Sequence, residues 1–153
     1  MAPSMIRLDV GSGMMTRPGW VGIDNRAHQA VQIIHDLKQF PWPLETESVH
    51  QAYVGAMFAR VSRDDWGLFK FMNELHRILL PGAEMLVVTY YGINARYLAD
   101  PAACNPVTEA TFYHFDPLHK SQLWFRYQPD PWRILNMAWD CEGNLEALLA
   151  KPY

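Results

Sequence analysis

Met5-Ile6-Arg7-Leu8-Asp9-Val10, running straight into Gly11-Ser12-Gly13, is a short apolar stretch that ends in a glycine turn. That is the pattern of a buried strand feeding a tight loop. Trp20 to Ile23 reads as a second strand, entered through Arg17-Pro18-Gly19 and closed by Asp24-Asn25. Val31 to His35 reads as a third, and Gln51 to Ala56 as a fourth, after the turn-rich Pro41-Trp42-Pro43. Asp24 stands only 13 residues beyond Gly11. A full helix with its turns does not fit in that interval, so the first helix of an alternating strand–helix fold is expected to be reduced.

The spacing predicts a helix between Asp64 and Leu80, where Leu68, Met72, Leu75 and Leu79 make one apolar stripe. Ser62 or Asp64 can cap its start, and Pro81-Gly82 stops it. Directly after it, Glu84 to Tyr91 with Met85-Leu86-Val87-Val88 is the strongest central-strand candidate. Continuous apolar strands in this order indicate a mostly parallel α/β sheet covered on both faces. Gln122 to Tyr127 and Arg133 to Asp140 are expected to close the sheet as an antiparallel C-terminal hairpin, with a short helix over Asn144 to Ala150. The absence of repeats, linkers and low-complexity tracts predicts one domain over residues 1–153.

The 153 residues carry 13 Lys+Arg against 16 Asp+Glu, a net charge of −3. That balance argues against a protein that grips duplex DNA by counterion release. Cys104 and Cys141 lack the spacing of a zinc site, and the six histidines supply no His-x3-His pair to complete one, so no metal is expected. The N-terminus has no basic and apolar leader, and no apolar stretch approaches the ~18 residues of a membrane span. A cytoplasmic protein without membrane attachment is the expectation.

In a parallel sheet, ligands gather beyond the carboxyl ends of the strands. Those positions are Gly11, Ser12 and Gly13 after the first strand, Asp24 and Asn25 after the second, Asp36 and Leu37 after the third, and Gly55 and Ala56 after the fourth. A dinucleotide fold wants a third glycine, where Thr16 stands, and an acid about 20 residues further on. The helix N-terminus that would hold a pyrophosphate is missing or reduced to a turn, so a phosphate-free nucleoside fits better: Asp24 suits a ribose diol and Asp36 an adenine amine. Asp9, inside the first strand, either accepts from a ligand ammonium or ties down the glycine loop.

Leu8 to Gly13, followed by Val21-Gly22-Ile23-Asp24 and His35-Asp36-Leu37, resembles the class I S-adenosylmethionine-dependent methyltransferases. The chain is similar in particular to a short subgroup whose glycine loop runs almost directly into Pro-Gly-Trp. Phe40-Pro41-Trp42-Pro43, Phe71 to Gly82, Asp100-Pro101 and Pro106 to Phe115 extend the resemblance over roughly residues 5–116. It implies a Rossmann-like fold and S-adenosylmethionine as cofactor. It also implies that Asp9, Gly11 and Gly13 surround the methionine part, Asp24 the ribose, Asp36 and Leu37 the adenine, and Gly55 and Ala56 the sulfonium. The chain departs from the subgroup at Ala56 to Val61, where a His-x-x-Glu-His stretch is replaced by residues without an ionisable group before Arg60, and at Ala102 to Asn105.

The function implied is methyl transfer by in-line displacement to a small or non-nucleobase acceptor, since no Asp/Asn-Pro-Pro-Tyr/Phe and no Pro-Cys occur. The alternative is a non-catalytic nucleoside-binding or structural module that keeps the fold. No catalytic residue is assigned; His35, Tyr90, His114 and His119 are the candidates for a base. Tyr90, Tyr91 and Asp100 to Phe115 are expected to fold over the pocket as a lid. Trp124, Phe125, Tyr127, Trp132 and Trp139 pack a hairpin or, if exposed, mark a homodimer contact.

Overall fold

A computed structural model of the protein describes residues 5–15 and 17–153. The leader reading of residues 1–4 and the third-glycine position Thr16 lie outside them. Seven strands form one sheet: β1 (Ile6–Val10), β2 (Val21–Asp24), β3 (Ile33–Ile34), β4 (Val49–Val54), β5 (Leu79–Tyr90), β6 (Arg133–Trp139) and β7 (Asn144–Ala150). Their order is β3-β2-β1-β4-β5-β7-β6. The first five run parallel, and β7 pairs antiparallel with both β5 and β6. The mostly parallel α/β sheet with a closing antiparallel hairpin is therefore as expected.

Two elements differ from the sequence expectation. Asn144 to Ala150 is strand β7, not a helix, because Leu145, Ala147 and Leu149 alternate into the core with no exposed surface. Gln122 to Tyr127 is not a strand: Leu123–Arg126 forms a 3-10 turn, held where the Trp124 indole N–H donates to Pro129 O at 3.0 Å. The hairpin is thus β6 and β7.

The helix α1 (Gly67–Ile78) starts after a 3-10 turn at Asp64–Trp66 and buries Leu68, Phe71, Met72, Leu75 and Ile78. Neither Ser62 nor Asp64 caps it; Trp66, in the left-handed region, stands at its start. Instead of stopping at Pro81-Gly82, the chain turns extended at Leu79 and passes through both residues inside β5. Two short helices follow, α2 (Ala95–Ala99) and α3 (Glu109–Tyr113).

The core lies on one face of the sheet. Leu8, Val10, Ala52, Val54, Met85, Val87, Ala147 and Leu149 meet Phe58, Phe71, Met72, Leu75, Phe112, Phe115 and Trp132 there. On the other face Gln51, Tyr53, Leu86, Val88 and Leu148 are only half-buried. The expectation of a sheet buried alike on both faces is corrected by that half-burial, and among the described residues no helix lies between β1 and β4. Gly22 makes the tight packing feasible, because a Cβ there would collide with Ala30 O and Ser12 Oγ.

Candidate functional site

The carboxyl ends of β1, β2 and β3 open onto a cleft of about 900 Å3 whose wall includes Gly11, Gly13, Asp24, Asn25, Asp36 and Leu37. Gly11 and Gly13 both take positive φ, 70° and 55°, a conformation that costs a glycine little. A Cβ on Gly13 would meet nothing within 4 Å, so this backbone faces open space. At Gly11 a Cβ would run into the Met57 side chain, which packs on the glycine as part of the cleft wall.

Asp24 ends β2 and is fixed from both sides. The Gly13 N–H donates to its Oδ2 at 2.9 Å and the Arg26 N–H to its Oδ1 at 3.1 Å. A carboxylate has about four lone-pair positions, so two remain for a ligand's hydroxyls. Asp36 forms a turn of its own, its Oδ1 accepting from the Lys38 N–H at 3.0 Å. Leu37 is held because the buried Trp42 donates its indole N–H to Leu37 O at 3.1 Å. Trp42 is tied in turn to α1: its backbone N–H donates to Glu74 Oε1 at 2.7 Å, and Arg77 pairs with the same carboxylate at 2.6 Å. Burial alone would raise the Glu74 carboxyl, but Arg77 and the Trp42 N–H outweigh it and hold the group below its ordinary range.

Four predicted site residues lie off the cleft wall. Asp9 is 4% exposed, and its Oδ2 is 3.1 Å from Arg17 Nε. The Arg17 guanidinium rests on the Tyr53 ring, 3.8 Å from its centroid. Burial pushes the Asp9 carboxyl above its ordinary range, Arg17 offsets part of that, and Asp24 adds to it. Ser12 is buried with its Oγ against β2 and no partner among the described residues. Gly55 and Ala56 sit at the end of β4, where Gly55 O accepts from the Phe58 N–H; the neighbouring Met57 and Arg60 form the wall instead.

Sequence reasoning missed Met57, Arg60 and the first turn of α1, where Gly67, Lys70 and Phe71 share one side at i, i+3 and i+4. The helical period of α1 carried that last signal; the 3-10 turn Ala56–Arg60 has no comparable one. Asp100, Pro101 and Ala102 form the far rim. Beyond them the expected lid is bedded down. The Cys104 and Asn105 N–H groups both donate to Ala59 O, at 2.8 and 2.9 Å, and Arg63 donates to Asn105 Oδ1 and Pro106 O, each at 2.6 Å. Phe112 stacks on Phe58 with ring centroids 5.7 Å apart.

His35, His114 and His119 turn to local partners: Gln39 O, Leu123 O and Ser121 Oγ. None of them, and none of the five C-terminal aromatics, lines the cleft. Trp132 is fully buried, whereas Phe125, Tyr127 and Trp139 are exposed. Among the described residues no helix is long and apolar enough to cross a membrane.

No family model and no curated protein matches the chain. Solved structures do. An S-adenosylmethionine-dependent methyltransferase of Mesorhizobium loti superposes with a TM-score of 0.63 at 14% identity, over 97% of this chain and 91% of that one. The 1,6-didemethyltoxoflavin-N1-methyltransferase of Burkholderia thailandensis, solved with 1,6-didemethyltoxoflavin and S-adenosylhomocysteine bound, gives 0.66 at 10% identity, over 97% of this chain and 71% of that one. The cyclase SpnF gives 0.59 at 12% identity, over 97% and 75%. Strand order, the antiparallel closing pair and these superpositions agree: the chain has the Rossmann-like fold of the class I S-adenosylmethionine-dependent methyltransferases.

Proposed function

We propose that the protein binds S-adenosylmethionine in the strand-end cleft and transfers its methyl group to a small, non-nucleobase acceptor. The observation that carries this reading is the Asp24 carboxylate, pinned by the Gly13 and Arg26 N–H groups at the end of β2 with acceptor capacity to spare. Ribose hydroxyls need such an acceptor. The open backbone at Gly13 leaves room beside it, and Leu37 with the part-exposed Phe40 offers an apolar wall for an adenine. The cleft wall carries five carboxylates against four cations, which suits a ligand of net positive charge. Its volume lies within the range of small-molecule sites.

When bound, the cofactor supplies a methyl group that is already electrophilic, so the chain's own work is to orient and to exclude water. Asp24, Asn25, Asp36 and Leu37 hold the nucleoside side, Gly11 and Gly13 lie along the methionine part, and Met57 closes the floor over Gly11. Asp9 ties Arg17 and the shortened loop to the sheet. Neighbours named as methyltransferases support the reaction class, while a neighbour named as a cyclase shows why the fold alone is not enough.

Titration with S-adenosylhomocysteine tests the binding, and transfer of a labelled methyl from S-adenosylmethionine in extracts of small acceptors tests the catalysis. Asp24→Ala is expected to weaken S-adenosylhomocysteine at least tenfold while keeping the fold. Wild-type protein that yields no heat and no rise in Tm with this compound overturns the reading, and binding without any turnover leaves the non-catalytic module.

A further inference from the structure

Beyond the end of β5, a second recess of about 510 Å3 opens beside the cleft, walled by Arg60, Tyr90, Arg96, Asp100 and Pro101. Arg60, Asp100 and Pro101 belong to both walls, so the recess and the cleft are neighbours. Arg60 is held in an unusual way for an exposed arginine. Its Nε donates to Asp100 Oδ2 at 2.9 Å, and its two terminal nitrogens have no hydrogen-bond partner among the described residues. Asp100 is 8% exposed at its side chain and is held by two further donors: Oδ1 accepts from the Ala102 N–H at 3.0 Å, and Oδ2 also accepts from the Tyr90 hydroxyl at 3.4 Å. The aspartate therefore fixes the guanidinium through Nε and leaves its forked end unengaged by it. Arg96, also in the wall of the recess, spends one nitrogen, Nη1, on Glu142 at 2.7 Å.

We propose that this recess is the acceptor site and that it takes a small molecule through a carboxylate, gripped by the terminal nitrogens of Arg60 and supported by Arg96. A planar fork with two parallel donors matches a carboxylate in a way that a lysine or a neutral amide does not. Asp100 takes the Nε edge of Arg60 and leaves the two terminal nitrogens to the ligand. The assignment rests on the methyl-transfer reading above and adds the acceptor's chemical class.

The test uses benzoate and its uncharged counterpart benzamide, observed by saturation-transfer NMR on the full chain with and without S-adenosylhomocysteine. Benzoate is expected to bind at least tenfold more tightly than benzamide. Arg60→Gln should remove that preference, Arg60→Lys should restore only part of it, and Arg96→Gln should weaken benzoate about threefold. Each variant is checked for an unchanged Tm, and Arg96→Gln, whose parent side chain is exposed, keeps the test open if Arg60 variants fold poorly. Equal binding of the two probes, no binding of either, or benzoate binding indifferent to both arginines overturns the proposal. Benzoate discrimination without any S-adenosylhomocysteine binding retires the methyl-transfer reading instead, so the two failures are distinct.

Discussion

Asp9 and Arg17 show how one ion pair substitutes for a missing helix. The Asp9 side chain is 5% exposed, and among the described residues only Arg17, lying across Tyr53, pairs with its charge. Arg17→Met keeps much of the packing on the ring but strands a buried carboxylate, which costs about 3 kcal/mol at neutral pH. The pH dependence follows from the direction of the shift. Asp9 already titrates above its unfolded value, so its ionised form costs stability once the pH rises through the folded pKa. Losing Arg17 pushes it higher still. The gap between wild type and variant should therefore be widest at pH 7 and close as the pH falls towards 4, measured by urea unfolding at each pH. A gap that does not change with pH would show that the ion pair is not what holds the loop.

At the same scale, strand-end acids were legible in the sequence because a strand's last residue can be read from where its apolar run stops. Asp24, Asp36 and Leu37 reach the cleft for that reason. Asp9 sits within the run, two residues before Gly11, and so points to the face opposite the core, away from the cleft. Met57 and Arg60 were not legible as wall residues. They belong to a 3-10 turn of five residues, too short to show a period.

Among the elements, α1 was the most legible, since a twelve-residue helix carries a full apolar stripe. What the stripe does not reveal is its link to the site. Glu74, buried on the core side at 7% exposure, binds Trp42 and Arg77, and Trp42 in turn fixes Leu37. Glu74→Gln keeps an acceptor for the Trp42 N–H but removes the charge opposite Arg77, and is expected to cost about 1–2 kcal/mol at pH 7. Glu74 titrates below its unfolded value, so its contribution is present above that value and is lost as acid protonates it. Thermal melts should therefore show the variant less stable at pH 6–7 and converging on wild type as acid protonates Glu74 below the ordinary carboxylate range. A penalty that persists in acid would place the loss in packing and not in charge. The hairpin was the least legible element, because Leu, Glu and Ala in Asn144 to Ala150 favour a helix locally. Pairing with a strand on each side overrides that preference.

For the whole molecule, a sheet with its core on one face depends heavily on its last strand. β7 is inserted between β5 and β6 and is the only strand paired with β6 among the described residues. It places Leu145, Ala147 and Leu149 in the core with no exposed surface. Two leucines at about 1.5–3 kcal/mol each already amount to much of a typical folding stability of about 5–15 kcal/mol. Lys151 adds a second tie. Its buried ammonium donates to Leu79 O at 2.9 Å and to Glu47 Oε1 at 3.2 Å, joining the end of β7 to the start of β5 and to the loop before β4. These contacts span most of the chain, so the parallel strands cannot reach their final stability before β7 docks. Deleting residues 141–153 is therefore expected to abolish the cooperative thermal transition and the far-UV signature of the sheet. A shortened chain that still melted cooperatively within a few degrees of the full one would show that β1 to β5 with α1 form a self-sufficient unit. The hairpin would then be an addition to the fold, and no longer the strand pair that closes its core.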